Sequence, residues 1–151
     1  EEHNEEGAIG VIINKPIDLT VEQLLKHLNI NTTDSPKLLN PVYIGGPVAQ
    51  DQGFVLHENS PDESSPFKVS TSREMLTRIG NNTGPDEFII TLGYTGWAPG
   101  DLEREILNND WLVVPASKNI ILHTPPTKRW VKAAQTIGIE INQISDQTGH
   151  A

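Results

Sequence analysis

The sequence contains no cysteine, few aromatic residues and few basic residues. Of its 151 residues, 5% are Phe, Trp or Tyr, and 11 Lys and Arg stand against 20 Asp and Glu. The absence of cysteine excludes disulfides, thiolate nucleophiles and cysteine-ligated zinc or iron–sulfur sites. It is compatible with a reducing compartment, and we expect a cytoplasmic protein.

The surplus of acidic residues gives a formal net charge of −9 at pH 7. Affinity for nucleic acids comes mainly from Lys and Arg side chains that neutralise phosphates, so this charge argues against DNA or RNA as a partner. The densest basic cluster, Lys128 and Arg129 with Lys132, is too small to reverse that expectation. The charge also disfavours anionic membranes, and no apolar run approaches the ~20 residues of a membrane span.

Apolar periodicity and turn residues predict one domain over residues 1–151, in which strands alternate with helices. The predicted strands are 8–13, 41–46, 52–57, 67–70, 87–93 and 139–141, and the apolar runs 111–115 and 120–122 are also rich in β-forming residues. The predicted helices are 18–29, 71–80, 102–107 and 127–137, with capping boxes at Thr20 and Gln23 and at Thr71 and Glu74. Because hairpins occur among the alternating strands and helices, a mixed sheet is favoured over a parallel one.

Gly45-Gly46-Pro47 separates two of the predicted strands. Glycine permits backbone angles that other residues resist, and proline ends a strand ladder. The segment therefore predicts a hairpin or a bulged strand pair. The alternative is a loop whose backbone approaches a ligand closely, with polar contacts from Gln50 and Asp51.

Residues 93–100, with the sequence GYTGWAPG, predict a tight turn that leads into an acidic helix. An anion at the start of that helix is disfavoured, because Asp101 and the two glutamates after it would repel it. The glycine spacing is neither that of a Walker loop nor that of a dinucleotide fingerprint. Two interpretations stay open: a structural turn in which Trp97 packs as a wedge, and a binding surface. The residues of that surface would be Tyr94, Gly96, Trp97 and Gly100.

His57 and His123 each end an apolar run. Two histidines at strand ends, with Glu58 beside the first, could form a catalytic base or a metal pair at one sheet edge. No His-x-x-x-His or Glu-x-x-His spacing supports a metal site, and the alternative is a strand-end histidine that is hydrogen-bonded to a loop. Neither a Gly-x-Ser-x-Gly elbow nor a Ser-x-x-Lys motif is present, so no catalytic residue, metal or cofactor is predicted.

Three segments together resemble the YqgE/AlgH family of bacterial proteins. They are residues 7–16 (GAIGVIINKP), residues 45–57 (GGPV, then GFVLH) and residues 93–106 (GYTGW, then LEREI). Trp111-Leu112 and Arg129-Trp130 also match, so the resemblance covers nearly the whole chain. The chain departs from the family at Asp101, where members tend to have Gln. It also lacks the family's N-terminal segment and an initiator Met, and we expect the natural protein to begin earlier.

The resemblance implies an α/β (α+β) fold. The expected architecture is a single compact domain with a mixed, bifurcated sheet curled toward a partial barrel and about four flanking helices. The family name suggests a role in transcriptional regulation of alginate production. The resemblance carries over no catalytic residue and no cofactor.

Three functional hypotheses remain. The first is a non-catalytic binding or regulatory module that acts through a protein or small-molecule partner. Its candidate binding residues are Gly45, Gly46, Pro47, His57, Tyr94, Gly96, Trp97 and Gly100. The second is an enzyme that uses a cleft with His57 and His123. The third is a direct DNA-binding regulator, which the net charge and the lack of a helix-turn-helix pattern disfavour. The sequence favours the first hypothesis and leaves the oligomeric state open.

Overall fold

In the computed structural model, which describes residues 2–140, seven strands join in one mixed sheet that four α-helices flank. The strands are β1 (Glu2–Asn4), β2 (Gly7–Gly10), β3 (Pro16–Thr20), β4 (Pro41–Ile44), β5 (Val48–Glu58), β6 (Phe67–Ser70) and β7 (Phe88–Trp97). The helices are α1 (Val21–His27), α2 (Arg73–Gly80), α3 (Asp101–Leu107) and α4 (Pro126–Thr136), with a 3₁₀ turn at Pro36–Leu39 and a π-helical turn at Asn119–His123. The predicted α+β class with a mixed, branched sheet is confirmed, and the sheet in this part of the chain does not close into a barrel.

Strand β7 is the centre of the sheet and the place where the sheet branches. Its residues Thr91 and Leu92 pair with β4 in parallel on one edge and with β5 in antiparallel on the other. Its last three residues, 95–97, pair in antiparallel with β2. Strands β1, β3 and β6 then extend the sheet from β2, β4 and β5. Because β2, β4 and β5 all pair with β7, no part of the sheet is independent of that strand.

The connection from Gly45 to Pro47 carries the chain across β7, from one of its edges to the other. A Cβ atom at Gly45 would collide with the carbonyl oxygen of Gly93, and a Cβ atom at Gly46 would collide with the backbone of Tyr94. Gly93 itself has a φ of +75° and faces the carbonyl oxygen of Gly46. The glycines are thus required where two backbones cross. Strands β4 and β5 do not form the predicted hairpin, because each of them pairs with β7 instead.

Alternation along the central strands divides the core into two layers, since successive strand residues point to opposite faces. One layer packs Val42, Val55 and Ile90 against α1 and α2, and it contains the fully buried Leu25. The other layer is smaller and is built from Tyr43, Leu56, Phe67 and Ile89, with Ile121 and Leu122 of the π-helical turn packed against them. The candidate site described below lies on the outer side of this second layer.

Three of the predicted helices are confirmed close to their predicted bounds. Thr20 and Gln23 form the predicted capping box, in which each side-chain oxygen accepts a hydrogen bond from the other residue's backbone N–H. However, the three residues before α1 belong to strand β3, so the helix begins at Val21 and not at residue 18. Helices α3 and α4 match the predictions to within one residue, and Gly138 (φ +78°) follows the end of α4.

Helix α2 begins at Arg73, and its N-cap lies one residue later than the predicted Thr71. The hydroxyl oxygen of Ser72 accepts a hydrogen bond from the backbone N–H of Met75 over 3.1 Å. Ser72 is therefore the N-cap, and the predicted capping box of Thr71 with Glu74 is wrong.

The β-rich runs 111–115 and 120–122 do not form strands. The first is an irregular segment whose Trp111, Leu112 and Val113 are exposed, and the second lies in the π-helical turn. Residues 139 and 140 belong to no strand, and the rest of the predicted strand 139–141 lies outside the described residues. No helix within residues 2–140 is long and apolar enough to cross a membrane.

Candidate functional site

Residues 93–100 are not a turn over their whole length, because β7 continues through Trp97. The bend is confined to residues 98–100, where Gly100 adopts a φ of +79° and caps α3. The Tyr94 ring packs against Phe54, with 5.3 Å between the ring centroids. Tyr94, Gly96 and Trp97 border one depression of about 320 Å³ beside β1 and β2. Successive side chains of a strand point to opposite faces, and Tyr94 and Trp97 are three residues apart, so their rings point to opposite faces of β7.

The Trp97 side chain connects the end of β7 to helix α3. Its ring meets that of Trp111 edge to face, with 5.8 Å between the centroids and 78° between the planes. The indole N–H groups of Trp111 and Trp97 both donate to Oε2 of Glu105, over 2.5 and 2.9 Å. These two hydrogen bonds lower the pKa of the Glu105 carboxyl below its ordinary value, and the bond from Trp111 has the larger effect. Trp97 therefore packs between the end of β7, Trp111 and α3.

Trp97 is also one wall of an apolar groove of about 440 Å³, which we call the tryptophan groove. Its sides come from the segment after β2, the end of β7, the irregular segment before the π-helical turn, and α4. All three tryptophans of the chain line it. Trp111 is 46% exposed and Trp130 48% exposed. The lining residues are Gly10–Asn14, Thr95, Trp97, Trp111, Val114–Ser117, Ile120, Ile121, Arg129, Trp130 and Ala133.

Arg129 is the one charged side chain in that lining, and it is only 6% exposed. Its Nε donates to the carbonyl oxygen of Thr124 over 3.0 Å, and its Nη1 donates to the carbonyl oxygen of Ile13. The guanidinium carbon lies 5.2 Å from the centroid of the Tyr43 ring, in a cation–π contact. Among residues 3–140, whose side chains the structure describes, no Asp or Glu forms an ion pair with it. In that part of the chain a buried cation thus stands beside an apolar groove with neutral partners only.

The two predicted site histidines have separate partners. His57 is buried at the end of β5, with Nδ1 2.7 Å from the carbonyl oxygen of Glu58 and Nε2 2.9 Å from Oγ of Ser70. A carbonyl oxygen can only accept, so Nδ1 carries a proton and Nε2 is paired with the Ser70 hydroxyl. The exposed His123 pairs through Nε2 with Glu87. No group of three or more metal-binding side chains is found in the part of the chain that the structure describes.

Lys118 joins Glu58, the last residue of β5, to Glu87, the residue before β7, near His123. Its ammonium lies 2.8 Å from Glu58 and 2.7 Å from Glu87. Hydrogen bonds from Lys118, the larger cause, and from His123 lower the pKa of the Glu87 carboxyl. Hydrogen bonds to the Glu58 and Glu87 carboxylates raise the pKa of Lys118. All these side chains are well exposed, so solvent screens the ion pairs and they stabilise the fold little. Their geometric effect is to hold the start of the π-helical turn, which lines the groove, against the sheet.

The candidate residues predicted from the sequence are therefore spread over several places. Gly45 and Gly46 are buried in the backbone crossing and Pro47 beside them is exposed, while His57 and Gly100 lie apart from the tryptophan groove. The predicted set does not include Trp111, Trp130 or Arg129. One signal for them is present in the sequence: the chain has only three tryptophans, and one of them follows Arg129 directly.

Comparisons with known proteins agree with this architecture. The AlgH-like family model matches residues 1–142. A UPF0301 protein of Coxiella burnetii is 47% identical over 150 residues, which cover 99% of this chain and 83% of that protein. A UPF0301 protein of Vibrio vulnificus is 45% identical over 160 residues, with 99% and 86% covered. The solution structure of the AlgH protein from Pseudomonas aeruginosa is 38% identical, has a TM-score of 0.74, and is matched over 99% of this chain and 82% of its own. The chain therefore belongs to the AlgH-like family.

Proposed function

We propose that this protein is a non-catalytic binding module of the bacterial cytoplasm, which holds a protein or small-molecule partner in the tryptophan groove and acts in regulation through that partner. The observation that carries the proposal is the groove itself. Its volume of about 440 Å³ lies within the range of roughly 300–1,000 Å³ that is typical of small-molecule sites. Aromatic side chains that are half exposed in a concave apolar surface are typical binding anchors.

The hydrogen bonds of His57 favour a binding module over an enzyme at the His57 and His123 positions. Both nitrogens of the buried His57 ring are bound within the protein, to Glu58 and Ser70. A general base needs a nitrogen within hydrogen-bond reach of the substrate proton. His123 is bound to Glu87, in a network that Lys118 closes.

The charge distribution favours regulation through a partner over direct contact with DNA. The net charge is −9, and Glu105 stands beside the tryptophans at one wall of the groove. A phosphate backbone would meet repulsion there, because Lys and Arg supply most of the affinity for nucleic acids.

A neutral apolar dye tests the groove directly. We expect N-phenyl-1-naphthylamine to bind saturably with one dye per chain, to brighten on binding, and to quench tryptophan emission by energy transfer. Because all three tryptophans line the groove, that quenching reports the place of binding.

Two variants distinguish specific binding from general stickiness. Trp130→Ala removes a half-exposed side chain from the wall of the groove. It should lower the affinity for the dye about tenfold, because an aromatic anchor is lost. Leu39→Ala truncates a 67% exposed side chain outside the groove and should bind as the parent does. Circular dichroism checks that both variants are folded. Equal dye affinity in the parent and Trp130→Ala, or no saturable binding at all, would refute the proposal.

A further inference from the structure

We infer that the ligand of the tryptophan groove is a small monocarboxylic acid with an apolar body, whose carboxylate binds Arg129. The inference rests on the proposed function and adds the chemistry of the ligand. The juxtaposition that carries it is a buried guanidinium with free donor capacity beside a large apolar cavity.

The guanidinium of Arg129 has more donors than acceptors around it. Arginine carries five N–H groups, and within the described part of the chain hydrogen bonds are formed by Nε and Nη1 only, to Thr124 and Ile13. In the described part of the chain, every side-chain nitrogen or oxygen that is sealed from solvent has a hydrogen-bond partner. Nη2, which has none among residues 2–140, therefore lies where a ligand or water can reach it.

The charge of Arg129 is also uncompensated within residues 3–140, whose side chains the structure describes. Its partners there are two carbonyl oxygens and the face of the Tyr43 ring, all neutral, although the residue is only 6% exposed. Buried charges are ordinarily paired, because taking an ion out of water is unfavourable unless a partner compensates its charge. A carboxylate is the planar acceptor that matches the guanidinium fork, and it would supply the missing charge.

The cavities on the two sides of Arg129 differ in what they can hold. The one toward Tyr43 and Phe88 has a volume of about 120 Å³, which suits a few waters at about 30 Å³ each. The tryptophan groove has about 440 Å³ and walls of Ile, Val, Pro and Trp side chains. An acid with an apolar body can place its carboxylate at Arg129 and its body against those walls.

The surrounding charge favours one negative charge on the ligand over two. Trp111 and Trp97 hold the Glu105 carboxylate in its ionised form near the same wall, and the whole chain carries −9. A phosphate monoester, which carries about −1.5 to −2 charges at neutral pH, meets that repulsion more strongly than a carboxylate does.

The test compares three ligands of one chain length on the parent protein: octanoate, octanamide and octyl phosphate. Binding is followed by tryptophan emission and by calorimetry. Loss of a charge-assisted pair should make octanamide bind about tenfold to a hundredfold more weakly than octanoate, and octyl phosphate should also bind more weakly than octanoate. Equal affinities for octanoate and octanamide would overturn the carboxylate inference while leaving the groove as a binding site. If none of the three ligands binds and the neutral dye does not bind either, both the carboxylate inference and the proposed function are refuted.

Two variants assign the carboxylate contact. Arg129→Lys keeps a positive charge but loses the fork, so it should weaken octanoate binding more than octanamide binding. An equal loss for both ligands, in a variant that circular dichroism shows to be folded, would overturn the assignment. Asp146→Asn removes the chain's own carboxylate side chain beyond residue 140. It should leave octanoate affinity unchanged, and tighter binding would identify Asp146 as the occupant instead. The comparison of octanoate with octanamide uses the parent protein and does not depend on either variant folding.

Discussion

Substitution of Gly93 by alanine tests whether the backbone crossing of β7 holds the fold together. A Cβ atom at this position would approach the carbonyl oxygen of Gly46 and would lie 2.8 Å from the carbonyl oxygen of Val48. Both neighbours are backbone atoms of the crossing segment, so neither can swing aside as the end of a side chain can. The φ of +75° adds strain for any residue with a Cβ atom.

Gly100 provides a matched control, because it shares the backbone strain without the contact. Its φ is +79°, and a Cβ atom there would meet nothing within 4 Å. Gly100→Ala should therefore cost only the left-handed conformation, about 1–2 kcal/mol. Gly93→Ala adds overpacking against rigid backbone, about 1–3 kcal/mol or more. The expected total for Gly93→Ala is about 2–5 kcal/mol, a large share of a typical stability of about 5–15 kcal/mol.

Urea unfolding followed by circular dichroism and tryptophan emission measures both costs. For Gly100→Ala we expect the urea concentration at the unfolding midpoint to fall slightly, with an unchanged dependence of the free energy on urea. For Gly93→Ala we expect a loss of unfolding free energy at least twice as large, or a failure to fold. If the two variants lose the same free energy of unfolding, the contact between the crossing backbones contributes nothing and the explanation of the glycines is wrong.

Three further predictions concern side chains. The pKa of Glu105 is lowered in the folded state, so its contribution to stability is present above the ordinary value of 4.5 and is lost as the pH falls through the folded-state pKa. The melting temperature of Glu105→Gln should therefore decline less on acidification than that of the parent. An equal decline would contradict the assignment of this stabilisation to Glu105. Lys118→Met should let the pKa of Glu87 rise toward its ordinary value, as carbon-13 NMR titration of the carboxyl would show, while the free energy of unfolding changes little because solvent screens these exposed ion pairs. Ser70→Ala leaves Nε2 of the buried His57 without its partner and should cost about 1–3 kcal/mol in chemical denaturation, whereas a neutral outcome would mean that water replaces the hydroxyl.

Local signals predicted the elements well wherever one residue decides the conformation. The Thr20 capping box and the glycine after α4 fix a helix start and a helix end through contacts within a few residues, and both are confirmed. The box at Thr71 failed because Ser72, one residue later, competes for the same role with its own hydroxyl. Two adjacent capping residues cannot be ranked without knowing which backbone N–H each of them reaches.

The pairing of the strands was beyond those local signals. Gly45-Gly46-Pro47 has the composition of a hairpin turn, and nothing nearby in sequence shows that a strand made more than 40 residues later passes between β4 and β5. The same limit applies to the site. The groove joins residues near positions 12, 97, 111 and 130, and Arg129 in the sequence is one member of a small basic cluster. Its burial and its neutral partners exist only in the folded chain.

The position of β7 has a consequence for synthesis on the ribosome. When β4 and β5 leave the exit tunnel, the strand that belongs between them has not yet emerged, and β2 also waits for the same partner. Until then β4 can pair only with β3 and β5 only with β6, so each of these two apolar strands keeps one unpaired edge, which is the condition under which nascent chains aggregate or recruit chaperones. A nascent chain stalled before that point would expose both strands, whereas one stalled after α3 could already close the whole sheet.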